Sequence, residues 1–251
     1  MSMVMLTYKI IPSQCEGILK NDGKCKMKIV MNKRYTSIFW NQLDLGWQSA
    51  FNLAWNAYME NTIPIGAVIQ NEEGIVVSSA QNLIYSATGT FPQIYDHKLA
   101  HAEINSILQL KESEHPNIRK YTLTTTMEPC LLCFGAIVMG NIRHLRYAAS
   151  DKYAGATAVN NYLDYVISKN IKIEGPFPLL EQVQIAMQTY YELEKNPYNC
   201  ECILMEWEKD CSTGVRLGRD LFKGQVLQTY KEKRVTMSEV FDNIVNKQWR
   251  R

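Results

Sequence analysis

Between Leu43 and Met59, the apolar residues Leu45, Phe51, Leu53, Ala54 and Ala57 recur among polar neighbours at intervals that predict an amphipathic helix. The period then changes. IGAVIQ (65–70) and GIVVSSA (74–80) are short β-branched runs separated by Asn71, Glu72 and Glu73, which predicts a hairpin. Residues 81–99 hold Gly, Pro, Asn and Asp without a period and read as a long loop; in compact domains a loop of that length is functional or disordered. A helix is expected from Ala100 to Lys111 with Ile104, Ile107 and Leu108 inward. YTLTTTM (121–127) follows as a strand, Cys130 to Met139 as a mostly apolar helix, and HLRYAA (144–149) as another strand. Two further helices, Asn160–Lys169 and Leu180–Glu194, flank IKIE (171–174) as a short strand. This alternation predicts an α/β layer architecture, a central sheet covered by helices on both faces.

The last stretch reads differently. Residues 196–251 contain no strong strand, and the helices expected there include 213–222 and 237–248. The second has Ser238 as its N-cap and Val240, Phe241, Ile244 and Val245 on its apolar side. The expected organisation is thus an N-terminal extension (1–42), an α/β domain (43–195) and a mainly helical C-terminal extension (196–251). The four apolar positions of the last helix suit packing on the core or on a second copy of the chain, so deleting 200–251 is expected to cost solubility. Met31 precedes a stretch that would begin a natural chain, so deletion of 1–30 is expected to be tolerated.

Composition narrows the class. With 46% apolar and 21% charged residues, the chain has the balance of an ordinary globular protein. No run approaches the roughly 18 apolar residues a membrane span needs, and the start lacks the layout of a secretion signal, so a cytoplasmic protein is expected. The seven cysteines (15, 25, 130, 133, 200, 202, 211) then read as reduced thiols, some of them metal ligands, rather than as a disulfide framework. The net charge of +2 hides an uneven distribution. Residues 1–42 carry seven Lys/Arg, among them Lys20, Lys24, Lys26, Lys28, Lys33 and Arg34, against two Asp/Glu. Residues 43–175 carry nine against twelve. Only the N-terminal segment is basic enough to attract a polyanion; the same lysines also suit a solvated arm or a protected strand edge.

Two short motifs carry the chemistry: His101-Ala102-Glu103 at one helix start and Pro129-Cys130-Leu131-Leu132-Cys133 at the next. An i, i+3 cysteine pair turns both sulfurs to one side of a helical turn, and the dipole and free N–H groups of that N-terminus favour thiolates, the metal-binding form. With one imidazole they make three protein ligands, which leaves zinc a fourth position for water. Glu103, two residues from the histidine, suits a carboxylate that takes a proton from that water and passes it to the substrate. Alone, the C-x-x-C pair would equally suit a redox couple or half a structural zinc site. Together, H-x-E and P-C-x-x-C form the signature of zinc deaminases acting on bases. Cys200, Cys202 and Cys211 lack helical ligand spacing or a neighbouring ligand and read as ordinary thiols.

At these residues the chain resembles the cytidine and deoxycytidylate deaminase superfamily, closest to its tRNA adenosine deaminase and guanine deaminase branch. The resemblance covers about 43–195. It runs through IPIGAVI (63–69), Asn82, His101-Ala102-Glu103, Glu128-Pro129-Cys130-x-x-Cys133 with Gly135-Ala136, and the passage from Ile142 to Ala156. It implies a three-layer sandwich around a mixed five-stranded sheet, assembled as a homodimer. One Zn²⁺ per chain would sit on His101, Cys130 and Cys133, with Glu103 catalytic. Asn82, Ala102, Tyr190 and Tyr191 would lie against the substrate; as bare residues, Asn82 also suits a turn and the tyrosines helix packing. Three features depart from the branch: the longer interval from Asn82 to His101, the segments 1–42 and 196–251, and a core that is acidic where an enzyme gripping a tRNA backbone would be basic.

The expected activity is hydrolytic removal of the exocyclic amine of a nucleobase or nucleoside, purine ahead of cytosine, with release of ammonia. The acidic core and a long loop suited to closing over a small ligand favour that substrate. The alternatives are adenosine-to-inosine deamination of tRNA and, from another class, a non-catalytic zinc-stabilised binding module. Glu103 speaks against the last, because a structural site has no use for it.

Overall fold

The computed structural model describes residues 39–249, with side chains to 246. The basic residues of 1–38, with Cys15 and Cys25, lie outside the described residues. The chain enters through a 3-10 turn, Trp40–Gln42, and helix α1 (Leu45–Met59). Asp44 caps α1, its Oδ1 accepting the Trp47 N–H at 3.1 Å. The hairpin follows as β1 (Gly66–Gln70) and β2 (Val76–Gln81). Between the strands, the Asn71 side chain accepts the N–H groups of Glu73 and Ile75, and Gly74 supplies a positive φ of 79°.

Helix α2 (Ala102–Leu108) is shorter than the expected 100–111. The Gln109 amide turns back onto the carbonyls of Ser79 and Asn105, and the chain leaves through two 3-10 turns. Then come β3 (Thr122–Met127), α3 (Leu131–Met139), β4 (His144–Ala149), α4 (Asp164–Ile167) and β5 (Lys172–Glu174). The helix expected over 160–169 is a 3-10 turn, Thr157–Asn161, followed by the single turn of α4. Of α4 only Val166 is buried, and one apolar contact does not sustain a longer helix.

The sheet order is β2-β1-β3-β4-β5. The pairs β2–β1 and β1–β3 are antiparallel; β3–β4 and β4–β5 are parallel. This is the mixed five-stranded sheet expected. One face carries a core of Ile69, Leu123 and Leu145 packed under Phe134, Ile137 and Val138 of α3. The other face is covered by α1 and by α5 (Pro178–Lys195). Helix and strand meet closely at Gly66: a Cβ there would stand 2.1 Å from the Ala50 carbonyl oxygen of α1, so only glycine fits.

The tail is helical throughout: α6 (Cys200–Lys223, kinked at Cys211), α7 (Val226–Glu232) and α8 (Met237–Trp249). Sequence reading reached only 213–222 of α6. Its first half has Cys200, Leu204, Trp207 and Cys211 buried at helical spacing, a stripe obscured by the acidic residues between them. The cap of α8 is Thr236 rather than Ser238: its hydroxyl accepts the Glu239 N–H at 3.4 Å, and its own N–H donates to the Glu239 carboxylate at 3.2 Å.

Val240, Phe241, Ile244 and Val245 pack within the chain, in one cluster with Phe51, Ala54 and Tyr58 of α1 and Val183, Ala186 and Met187 of α5. Phe241 contacts Trp40 and Phe51 edge-on, with ring centroids at 5.7 and 5.8 Å. Phe241→Ala is therefore expected to cost about 3–5 kcal/mol in chemical denaturation. A loss below about 1 kcal/mol would show that α8 is peripheral to the core. Among the described residues no helix is long and apolar enough to cross a membrane.

Candidate active site

The site lies at the carboxyl ends of the parallel strands, where open α/β sheets hold their ligands. His101 is the N-cap of α2, with extended backbone, and Glu103 sits in that helix's first turn. Cys130 is the N-cap of α3, and Cys133 sits in its first turn. Two helix N-termini thus face one point. The donor atoms of His101, Cys130 and Cys133 all lie within 4.8 Å of one another. His101 Nδ1 is 3.3 Å from Cys133 Sγ and 3.7 Å from Cys130 Sγ. Two thiols and an imidazole match the preference of Zn²⁺, and three such ligands leave its fourth position open.

Glu103 is 3% exposed and stands beside this triad. Its Oε1 accepts the Thr125 hydroxyl at 2.9 Å, and its Oε2 accepts Cys133 Sγ–H at 3.4 Å. Burial pushes the carboxyl above the usual carboxylate range. The hydrogen bond with Cys133 holds the Cys130 thiol down to about 4, while that same bond and burial push Cys133 up. The hydrogen bond with Cys130 raises His101.

Asn82 is buried in the turn after β2. Its Oδ1 accepts the Thr62 hydroxyl at 2.9 Å and the Ile84 N–H at 3.0 Å. The carbonyl oxygen thus holds the turn, and among the described residues no acceptor takes its NH₂ group. Ala102 is fully buried at the first helical position of α2, where the backbone N–H has no intrahelical acceptor.

Both tyrosines are buried. Tyr190 is 2% exposed and packs edge-on against Tyr58 and Phe222, its hydroxyl accepting the Gln228 N–H at 3.2 Å. Tyr191 lies in the same α1–α5 cluster. Both rings thus take part in helix packing.

Other residues have supporting roles that the sequence leaves unstated. Thr125, inside the strand run TLTTTM, orients Glu103; Thr62 orients Asn82. Asn105 of α2 clamps the long loop, accepting the Ile94 N–H and donating to the Ile94 carbonyl, both at 2.9 Å. Glu128 holds the passage after β4, accepting the N–H of Asp151 at 3.0 Å and that of Thr157 at 3.2 Å. Nothing in the spacing of these residues announces such partners.

The zinc-binding region of cytidine and deoxycytidylate deaminases, as a family model, matches residues 41–149. A tRNA-specific adenosine deaminase of Aquifex aeolicus is 30% identical over 153 residues, 59% of this chain and 93% of that protein. One from Rickettsia felis is 33% identical over 118 residues, 45% of this chain and 74% of that protein. A solved guanine deaminase from Nitrosomonas europaea is 19% identical, covering 57% of this chain and 80% of that one, with a TM-score of 0.44. A matched zinc-binding region and a 30% identical relative spanned almost end to end make this chain a member of the cytidine and deoxycytidylate deaminase superfamily, zinc-binding enzymes that hydrolyse C–N bonds.

Proposed function

We propose that the chain removes the exocyclic amine of an adenine in tRNA, with His101, Cys130 and Cys133 holding one zinc and Glu103 moving the protons. The observation that carries the reaction is a buried carboxylate beside three converging ligand atoms, held by Thr125 and not needed to complete the ligand set. When bound, zinc supplies a Lewis acid that makes water a competent nucleophile at neutral pH. Glu103 takes a proton from the attacking water and gives it to the neighbouring ring nitrogen. It then carries a second proton to the amine, which leaves as ammonia while the ring carbon becomes a carbonyl. Asn82 donates its free NH₂ group to the ring, and the Ala102 N–H is a second donor for the same base. Thr125 keeps the carboxylate aimed through both transfers.

For the substrate, two observations favour RNA over the free base. The relatives at 30% and 33% identity bear the name tRNA-specific adenosine deaminase. The long loop is also clamped to α2 by Asn105, which suits a fixed display better than a closing lid, and it presents exposed Tyr85, Phe91 and Tyr95. Phe91 is 95% exposed, and exposed rings near a pocket suit stacking on unpaired bases. A free purine or its nucleoside is the second reading, favoured by the excess of acidic over basic residues in 43–175.

Ammonia release should be measured on unfractionated tRNA, adenine, guanine, cytosine and their nucleosides at two salt concentrations. Turnover on tRNA that falls steeply as salt rises is the expected result. Turnover of a free base or nucleoside, insensitive to salt and without activity on tRNA, would overturn the RNA reading and leave the zinc chemistry standing.

A further inference from the structure

The passage from Ser150 to Thr157 backs the Cys130 ligand. Ala156 N–H donates to the Pro129 carbonyl at 2.9 Å, and Gly155 pairs with Cys130 in an antiparallel bridge. The fit is close: a Cβ on Gly155 would stand 2.5 Å from both the Asp151 carbonyl oxygen and the Glu128 carboxyl carbon. Glu128 grips this passage through two backbone N–H groups. Helices α5 and α6 hold it as well. Ser150 N–H donates to Glu181 of α5 at 3.1 Å, and Trp207 of α6 donates its indole Nε1–H to Asp151 Oδ1 at 2.9 Å. The same Asp151 oxygen accepts the N–H groups of Tyr153 and Ala154, which sets the turn leading to Gly155. Trp207 is 4% exposed and packs with Met127 and Ala149, the last residues of β3 and β4. Helix α6 lies outside 41–149, the stretch matched by the zinc-binding family model.

We infer that Trp207 is a positioning residue of the metal site: through Asp151 it fixes the turn that supports Cys130, so that the C-terminal helix tunes zinc retention from outside the deaminase region. Trp207 touches no ligand atom. Its effect passes through one hydrogen bond to Asp151 and two backbone contacts, Ala156 to Pro129 and Gly155 to Cys130. Partners hydrogen-bonded to a metal ligand typically change affinity by 10–100-fold, and a residue that acts through Asp151 and the following turn belongs at the lower end of that range.

The test is Trp207→Phe, which keeps a large ring in the cluster and removes the indole N–H. Zinc affinity is read by competition with a chromophoric chelator, and the melting temperature of the zinc-free protein is read beside it. Zinc is expected to bind about tenfold more weakly. The zinc-free melting temperature should fall by no more than about 4 °C, the range of one lost hydrogen bond in a chain of this size. In an Asp151→Ala background the same substitution should have no further effect on zinc, because its acceptor is gone. Parental zinc affinity in Trp207→Phe, or an undiminished effect in the Asp151→Ala background, would overturn the inference. It rests on the ligand assignment above, and the two failures are distinguishable: a wrong assignment leaves Cys133→Ala with its zinc, whereas a wrong role for Trp207 leaves Trp207→Phe indistinguishable from the parent while Cys133→Ala has lost the metal.

Discussion

Glu103→Gln is expected to keep about one zinc per chain while ammonia release falls by about a thousandfold or more. Glutamine preserves the volume of the side chain in a position that is 3% exposed, and its carbonyl oxygen still accepts the Thr125 hydroxyl, so the pocket survives the change. What disappears is a group able to accept and return protons, and a positioned general acid–base contributes roughly 10²–10⁴-fold. In the proposed reaction one carboxylate serves both the ring nitrogen and the departing amine, which places the loss toward the upper end. Metal analysis and an ammonia assay on the same preparation separate the two functions. Loss of the metal would make Glu103 a ligand, and activity within tenfold of the parent would remove it from the proton path.

Cys133→Ala is the second large effect, and it acts on the whole fold. Cys133 is 1% exposed in the first turn of α3, with His101 Nδ1 at 3.3 Å. Its removal leaves two donors, too few for a zinc site. Because zinc binds the folded chain and not the unfolded one, losing it removes the stabilisation that binding contributes. At zinc a thousandfold above its dissociation constant that is about 4 kcal/mol, or about 10 °C in melting temperature for a chain of this length. The comparison must be made with and without a chelator. The parent in chelator should melt near the variant, and the variant should not respond to chelator at all. A variant that still binds one zinc per chain and still responds would show that Cys133 is not a ligand.

The reach of the sequence follows the range of the forces involved. Strand β4 was read as 144–149 and is His144–Ala149, because alternation and β-branching express contacts that every residue makes with its immediate chain. The metal triad was legible for the same reason. His101-x-Glu103 and Cys130-x-x-Cys133 each place two groups within one helical turn, so local geometry alone brings the members of each pair together. The meeting of the two pairs needed the sheet: β3 carries Thr125 beneath Glu103 and then delivers Cys130, across 22 and 29 residues of chain from their partners.

What the sequence leaves open has a common cause. That Tyr190 of α5 packs between Tyr58 of α1 and Phe222 of α6 depends on elements that no local pattern of α5 records. The first half of α6 was passed over because its burying partners, Met127, Ala149 and Ile185, belong to distant elements. The tail's attachment rests on such links: Trp207 to Asp151 across 56 residues and the Trp55 indole to the Val235 carbonyl across 180. Short-range geometry wrote the candidate metal triad, the carboxylate beside it and most of the strands into the sequence by itself. Which residues orient them, and that the C-terminal helices belong to the core, only the tertiary structure decided, because hydrogen bonds and apolar contacts between remote segments leave no periodic trace in either partner.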